Sequence, residues 1–514
     1  MASETYDVVI IGAGISGIDA AYRVQEQLPG AKYTILEARE SIGGTWDLFR
    51  FPGIRSDSDL HTFGFPFRPW KLHNAIAEAP LILDYMKETA AEFGIDKHIQ
   101  FKHKVDTAEW STKRQKWSIA VTANDSQKKT IQGTFLFFCT GYYDYKNPLS
   151  ADIPGLSDFK GLTVHPQFWP ENLDYTDKKV VIIGSGATAV TILPNMAKHT
   201  PHVTMLQRSP TYIVAMPQDD AINRTLRTIF PSGVAYRFIR LRFILLAYLS
   251  YTIFQAFPNF ARKLLLGQTR KLLPKDYQLD PNFNPKYNPW DQRLCVSPKG
   301  DFYSAIRNGR ASVVTGEISS VNEHDILLKD GTKLDADIIV TATGLRLQIA
   351  GGAKIFVDGR PVTTGDHYVY RHAMLSDIPN AWLFVGYTNA SWTLGSDSTA
   401  HYACRLINYM RGKGIGSATP RVGDKGMQRE PLLGLNSTYV KKGENVLPSA
   451  GTGERWKPRS MYLWDLWEAK RSDFGELEFR SESEVLDIGD GERKEQRDSV
   501  ADTIAAGKDQ IAAA

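Results

Sequence analysis

The sequence predicts an α/β protein with two Rossmann-like dinucleotide-binding domains and a mainly helical insertion. Three observations carry that expectation. The run Val8-Val9-Ile10-Ile11-Gly12 near the start recurs as Val180-Val181-Ile182-Ile183-Gly184 in the middle, an internal repeat. Each run is continuous and β-branched, as in a parallel strand buried on both faces, and each passes through a glycine-rich turn into a helical pattern. From about residue 220 to 280 a helical pattern replaces this alternation; the Pro-rich, aromatic stretch Asn282 to Trp290 closes it, and short β segments return near Ser312 to Val340.

Length and composition agree with this architecture. At roughly 100 to 200 residues per domain, 514 residues imply two to four domains. Hydrophobic residues at 42% and charged residues at 23% exclude disordered, collagen-like and coiled-coil classes. A net charge of +4, from 61 basic and 57 acidic residues, argues against a nucleic-acid partner. Cys139, Cys295 and Cys404 lack any paired spacing for zinc, iron-sulfur or a redox disulfide, as expected of a reduced, cytoplasmic chain. No basic segment or cleavage site precedes the apolar run at Val8, so neither a secretory signal nor a transit peptide is expected.

The longest apolar stretch, about Phe243 to Phe257, is interrupted by Ser250, Thr252 and Gln255 and falls short of the roughly 20 residues that span a bilayer. Arg237, Arg240 and Arg242 sit upstream among Phe238, Ile239 and Leu241. Two readings of the 237–257 region stay open: a helix buried within an inserted subdomain, which is the simpler expectation, or one lying at a membrane surface as a peripheral contact. After Gly489 the chain turns charged and then Ala-rich, which reads as a fraying helix or a disordered tail.

The first cradle reads Gly12-x-Gly14-x-x-Gly17 directly after a strand, and Glu37 closes the next strand, Thr34 to Glu37. The first glycine permits the tight turn, the second lets backbone approach a pyrophosphate, and the third packs helix against strand. Glu37 would accept hydrogen bonds from a ribose and repel a 2′-phosphate, so this site prefers FAD or NAD over NADP. The second cradle reads Gly184-x-Gly186-x-x-Ala189, with Thr188 in the turn, and its next strand, Val203 to Gln207, runs into Arg208 and Ser209. A guanidinium in place of the carboxylate pairs in bidentate fashion with a phosphate, which selects NADPH; the competing reading of Arg208 is a solvated surface arginine.

Two different dinucleotides on one chain imply a flavoprotein reduced by NADPH. Two strand-end signals, Phe137-Phe138-Cys139-Thr140-Gly141 and Ile338-Ile339-Val340-Thr341-Ala342-Thr343-Gly344, resemble the strand-to-crossover junctions of such proteins. Disulfide reductases are excluded because no cysteine pair is available.

Between the cradles lies Phe159-x-Gly161-x-x-x-His165-x-x-x-Trp169-Pro170, and here the sequence resembles the type I Baeyer–Villiger monooxygenases, class B flavoprotein monooxygenases. Related flavin-containing monooxygenases and N-hydroxylases usually end this motif in Tyr or Phe. The segment Gly43-Gly44-Thr45-Trp46, with Arg50, Pro52-Gly53, Arg55 and Asp57, looks like the flavin-proximal loop of these enzymes. Gln207-Arg208-Ser209-Pro210 and Tyr387-Thr388-Asn389-Ala390-Ser391-Trp392-Thr393 are similar to the ethionamide-activating branch. The resemblance runs from about residue 6 to 480.

What the resemblance implies is an NADPH- and FAD-dependent monooxygenase that uses O2 to turn a ketone into an ester or lactone. Oxidation of sulfides, thioamides or amines is the alternative. Arg293 in Asp291-Gln292-Arg293-Leu294 matches the family's catalytic arginine, a permanent cation that would stabilise a peroxyflavin anion, and Asp57 would orient it. Without the family, Arg293 reads as a structural ion-pair residue, Asp57 and Asp59 as turn residues, and His165 as a packing histidine; the resemblance gives His165 a linker role. Trp392 and Asn389 are pocket candidates. The expected boundaries are 1–147 and 345–514 for the FAD domain, 148–219 and 291–344 for the NADPH domain, and 220–290 for the helical insertion.

Overall fold

The computed structural model describes residues 4–218, 220–424, 426–443 and 445–483. The tail read from Gly489 onward lies outside the described residues.

The first Rossmann unit opens with β1 (Glu4–Ile11), α1 (Ile15–Gln27) and β2 (Tyr33–Leu36). Val8, Val9 and Ile10 are fully buried, as the unbroken apolar run requires of a strand covered on both faces. Burial of Ile18, Ala20, Ala21 and Val24 seats α1, and each large aliphatic chain contributes about 1.5–3 kcal/mol. Pro29-Gly30, just past the Leu28 cap, stops the helix. The helices α2 (Thr45–Leu48), α3 (Leu60–Phe63) and α4 (Ala79–Glu92) lead into β3 (Ile99–Gln100) and the antiparallel meander β4 (His103–Ser111), β5 (Lys116–Ala123) and β6 (Gln127–Phe138).

The second unit contains β7 (Leu162–Val164), β8 (Lys179–Ile183), α5 (Ala187–Met196), β9 (His202–Gln207) and β10 (Ile213–Met216). Three helices interrupt it: α6 (Ala221–Ile229), α7 (Ser232–Ala256) and α8 (Pro258–Leu272). The unit resumes with β11 (Cys295–Pro298), α9 (Asp301–Arg307), β12 (Ala311–Thr315), the small antiparallel sheet β13 (Ile318–Val321), β14 (Asp325–Leu328) and β15 (Lys333–Asp335), and β16 (Ile338–Thr341). The chain then returns to the first sheet with β17 (Lys354–Val357), β18 (Arg360–Val362) and the strand Ala381–Leu383, followed by α10 (Trp392–Lys413).

Among the described residues the first sheet runs β18-β17-β4-β5-β6-β1-β2-β3, with Ala381–Leu383 beside β6. Strand β6 serves two neighbours on one side: Gln127 to Gly133 pairs with β5, while Leu136 to Phe138 pairs with Ala381–Leu383. The second sheet runs β12-β9-β8-β16-β7, all parallel. Sequence-distant segments therefore close each sheet. A buried ion pair, Arg23 to Asp397 at 2.7 Å, ties α1 to α10 across the first unit.

Three expectations about the helical insertion need correction. Its helices end at Leu272, and residues 273–294 are turns and extended chain, because Pro274, Pro281, Pro285 and Pro289 remove helical N–H donors. The apolar stretch from Phe243 is part of the 25-residue α7, which begins at Ser232 and is long and apolar enough, by length and composition, to cross a membrane. Nor is α7 a buried helix: only Ala235, Tyr236, Ile239, Arg240 and Ile244 are buried.

Candidate active site

The glycines of the first cradle divide their work. A Cβ at Gly12 would lie 2.7 Å from the Cys139 carbonyl oxygen, and one at Gly17 would lie 1.9 Å from that of Gly12. These two glycines press α1 against the ends of β1 and β6. At Gly14 a Cβ would meet only the Gly44 Cα at 3.9 Å, so the space above it is open. Gly14 also caps α1 with no side-chain hydrogen bond, which leaves the first N–H groups of the helix to a ligand.

A cavity of about 880 Å³ lies over this turn, with Gly12, Gly14, Glu37, Gly44, Thr45 and Trp46 on its walls. Gly17 is absent from those walls, in keeping with a packing role. Glu37 accepts the N–H of Ala13 at 2.7 Å through Oε2 and that of Arg39 at 2.8 Å through Oε1. Burial raises its pKa above the ordinary carboxylate value, against the lowering effect of those two N–H donors. Each oxygen keeps a further lone pair for a ribose hydroxyl. The Gly43-Gly44 loop is tied to the cradle by Gly43 N–H donating to the Ala13 carbonyl at 3.2 Å, and Thr45 Oγ1 lies 3.3 Å from the Tyr145 hydroxyl.

Trp392 also lines the cavity. Its indole stacks on Tyr142 at 5.0 Å and 10°, and its Nε1 donates to Ser16 Oγ at 3.0 Å. Asn389, predicted beside it, is not among the cavity-lining residues: it precedes Ser391, the residue that caps α10, on a loop outside the wall. Sequence reasoning missed Tyr142 and Tyr145, both on the wall. The signal was available, since Tyr142 directly follows the Thr140-Gly141 strand end and Tyr145 comes shortly after it.

The second cradle repeats the first with one difference in exposure. A Cβ at Gly184 would lie 2.2 Å from the Ala342 carbonyl oxygen, whereas nothing stands within 4 Å of one at Gly186. Gly186 caps α5 with no side-chain hydrogen bond, and Ala189 is fully buried at the helix-strand contact. Thr188 lies in the first turn of α5, half-buried. Arg208 and Ser209 follow β9 on an open surface, and the Ser209 carbonyl accepts from Ser185 Oγ at 3.1 Å.

Arg293 stands on the wall of the cavity over the first cradle. Its Nε lies 3.1 Å from Asp57 Oδ2 and its Nη2 donates to Asp57 Oδ1 at 3.2 Å, and both residues line the cavity. Two residues further on, Cys295 Sγ lies 3.9 Å from the carbonyl oxygen of Ser185, within the second glycine turn. Burial pushes the Cys295 thiol up to about 12, so it stays protonated. The loop carrying Asp57 leans the same way: a Cβ at Gly53 would lie 1.8 Å from Asn195 Nδ2 of α5, and Arg55 pairs with Asp301 at 2.5 Å. Asp59 has a different task, capping α3 by accepting the Thr62 N–H at 2.9 Å.

The Phe159-to-Pro170 motif follows the edge of the second sheet. A Cβ at Gly161 would lie 2.4 Å from the Asp337 carbonyl oxygen, Phe159 and Trp169 are buried, and Pro170 is exposed. His165 Nδ1 accepts the Gln167 N–H at 3.2 Å, and Gln167 in turn donates to the Asp144 carbonyl at 2.8 Å. Burial lowers the His165 pKa. The motif is not among the residues lining the cavity.

Two glycine turns at the ends of parallel-paired strands, each opening an uncapped helix, with opposite charges at Glu37 and Arg208, fit two dinucleotides of different phosphate content. Fold and site together define a two-dinucleotide oxidoreductase. The family model described as flavin-binding monooxygenase-like matches residues 5–351, and the chain belongs to that family. It is 44% identical over 488 residues to the FAD-containing monooxygenase EthA of Mycobacterium tuberculosis (strain ATCC 25618 / H37Rv), covering 95% of this chain and 100% of that one. It is likewise 44% identical over 485 residues to the probable FAD-binding monooxygenase AlmA of Acinetobacter baylyi (strain ATCC 33305 / BD413 / ADP1), covering 94% and 97%. Among solved structures, an oxidised steroid monooxygenase bound to NADP aligns with TM-score 0.74 at 20% identity, covering 93% of this chain and 100% of that one. OTEMO in complex with FAD and NADP aligns with TM-score 0.71 at 19% identity over the same shares. The resemblance to class B monooxygenases of the ethionamide-activating branch is borne out, and the protein is a flavin-binding monooxygenase.

Proposed function

We propose that the protein inserts one oxygen atom of O2 beside a ketone carbonyl, giving an ester or lactone, with Arg293 as the catalytic cation and Asp57 holding it. The observation that carries this reading is the Arg293–Asp57 pair on the wall of the first-cradle cavity, two residues from a contact with the second glycine turn. FAD held in the first cradle would supply the activation of O2, and NADPH held in the second would supply the reducing equivalents.

The remaining chemistry belongs to the chain. Gly12, Gly14 and the N-terminus of α1 bind the pyrophosphate of FAD, and Glu37 takes its ribose. Gly44, Thr45 and Trp46 shape the cavity beside it. Gly184, Gly186, Thr188 and Ser209 bind NADPH, and Arg208 pairs with its 2′-phosphate. On this reading the FAD domain comprises 1–147 with 345–514 and the NADPH domain 148–219 with 291–344, and the 159–170 motif links them. Arg293 keeps its charge at every working pH, favours a deprotonated oxygen nucleophile over its neutral form, and stabilises negative charge that develops on the ketone oxygen. Asp57 grips one edge of the guanidinium, through Nε and Nη2, which limits the rotamers in which that charge is presented. The aromatic wall of Tyr142 and Trp392 excludes water from the same space.

A second reading is oxidation of a sulfide, thioamide or amine. The 44% identity with EthA over 95% of this chain favours it. Such a reaction needs an electrophilic, protonated oxygen donor, so it does not require the Arg293 charge. Comparing ester formation from linear and cyclic ketones with sulfoxide formation from a thioether, each against NADPH consumed, separates the readings. Ester formation that keeps pace with NADPH and is lost in Arg293→Ala, with flavin retained, supports the first; unchanged ester formation in that variant removes Arg293 from its role.

A further inference from the structure

Residues 221–275 are not among those lining the cavity, and the inserted helices present a surface of their own. On one side α7 is pinned to α3: Arg240 Nη1 donates to the carbonyl oxygens of His61, Thr62 and Gly64 at 2.9, 3.2 and 2.7 Å. The opposite stripe is apolar and faces outward, with Phe238, Leu241, Leu245 and Leu249 exposed at 48, 43, 47 and 54%. Their spacing places them on one face of the helix. Phe230, just after α6, meets the Phe238 ring at 5.3 Å, and the neighbouring helices also expose apolar side chains, Ile229 at 66% on α6 and Phe260 at 57% and Leu264 at 52% on α8. Ile244 of α7 clusters with Tyr462 of the helix Tyr462–Arg471, which carries a stacked and exposed pair, Trp464 and Trp467, at 5.0 Å.

Charge selects the occupant. Between residues 221 and 275 the chain holds ten Lys and Arg and no Asp or Glu, and Arg237, Lys263, Arg270, Lys271 and Lys275 are exposed. A second copy docked on this face by two-fold symmetry would set like charges against each other. A transmembrane course for α7 would strip Arg240 of three carbonyl acceptors and leave a buried charge unpaired. An anionic bilayer surface satisfies both halves of the pattern, since apolar side chains enter the acyl boundary while each nearby Lys or Arg gains from lipid charge, and tryptophans favour that depth.

We propose that α6 to α8, with the Trp464 and Trp467 pair, form a docking face that lies flat on a membrane containing anionic lipid. The test uses the full-length, FAD-loaded protein in co-sedimentation with vesicles of phosphatidylcholine alone and of phosphatidylcholine mixed with phosphatidylglycerol. Binding to the mixed vesicles, weakening as salt rises, is expected. The variant Leu241→Asp/Leu245→Asp/Leu249→Asp and the variant Arg237→Glu/Lys263→Glu should each bind at least about tenfold more weakly, with flavin content and NADPH oxidation unchanged. If the aspartate variant loses its flavin, the charge variant decides, because both of its sites are exposed. Equal binding to both vesicle types, no binding to either, or variants that bind as well as the parent would overturn the proposal. So would a parent oligomer that the aspartate variant converts to monomer without any vesicle affinity, an outcome that assigns the face to a second copy.

Discussion

Arg293 and Asp57, 236 residues apart in the chain, meet through two contacts: Nε to Oδ2 at 3.1 Å and Nη2 to Oδ1 at 3.2 Å. The pair is partly exposed on the cavity wall, with side-chain exposures of 34% and 31%. At that exposure its contribution to stability is small, about 0–1 kcal/mol, so its value lies in position.

Replacing Arg293 by Lys keeps a positive charge and loses the two-point contact, and Asp57→Asn keeps the shape and loses the counter-charge. Ester formation should fall about 10²-fold or more in Arg293→Ala and by less in the other two, the range seen when one oxyanion donor is removed. NADPH consumption without substrate should continue in all three. Parallel assays of product and NADPH, with melting temperatures within a few degrees of the parent, check this.

On the proposed reading Arg208 pairs with the 2′-phosphate and so selects the nicotinamide cofactor. Its side chain is exposed after β9 and neighbours Glu317, whose pKa is lowered first by Lys329 and to a smaller extent by Arg208. Charged hydrogen bonds to a phosphate are worth about 1.5–3 kcal/mol, so Arg208→Ala should raise KM for NADPH roughly 10- to 100-fold and leave that for NADH nearly unchanged. Steady-state kinetics with both cofactors decide it; an equal rise for both would mean that Arg208 does not read the 2′-phosphate.

The glycine turns offer a test that separates folding from binding. At Gly17 an added Cβ would lie 1.9 Å from backbone oxygen, whereas at Gly186 it would meet nothing within 4 Å. Gly17→Ala should therefore lower the melting temperature and the bound flavin together. Gly186→Ala should keep flavin and melting temperature near those of the parent while weakening NADPH, because on the proposed reading the lost space is the one the pyrophosphate takes. Flavin absorbance per protein and NADPH titration read the two effects separately.

These glycines also show what was legible in sequence. Val8 to Gly12 and Val180 to Gly184 announce buried parallel strands because a continuous β-branched run needs cover on both faces, and the turn glycines follow from local backbone geometry. Arg293 beside Asp57 was reachable only through family resemblance, since no local period connects positions 236 apart. The stack of Tyr142 on Trp392 was equally hidden, because it joins the end of β6 to the start of α10. For α7 the pattern held the apolar stripe but not its direction. Arg240, buried among α3 carbonyls, turns the charged residue inward and Leu245 outward, the reverse of the usual preference, and hydropathy alone cannot reveal such an inversion.

The same seat of α7 on α3 leads to a prediction about acid stability. His61, on α3, is fully buried, and burial, reinforced by the nearby Arg227, lowers its pKa to about 4. His401 of α10 is lowered to about 4 as well, again chiefly by burial, with Asp397 opposing. A depressed folded-state value means that the unfolded chain binds a proton the folded chain refuses. The stability involved is fully present above the unfolded histidine value of about 6.5 and is lost as pH falls through the folded values near 4. Each histidine accounts for about 3 kcal/mol across that window, at about 1.36 kcal/mol per pH unit. Denaturant midpoints measured from pH 7 to pH 4 should therefore decline steeply. His61→Gln should lower the midpoint at pH 7 and flatten the decline, because the substituted amide has no proton to gain. A variant whose slope matches the parent would show that α3 opens before the histidine titrates and that the loss of stability arises elsewhere.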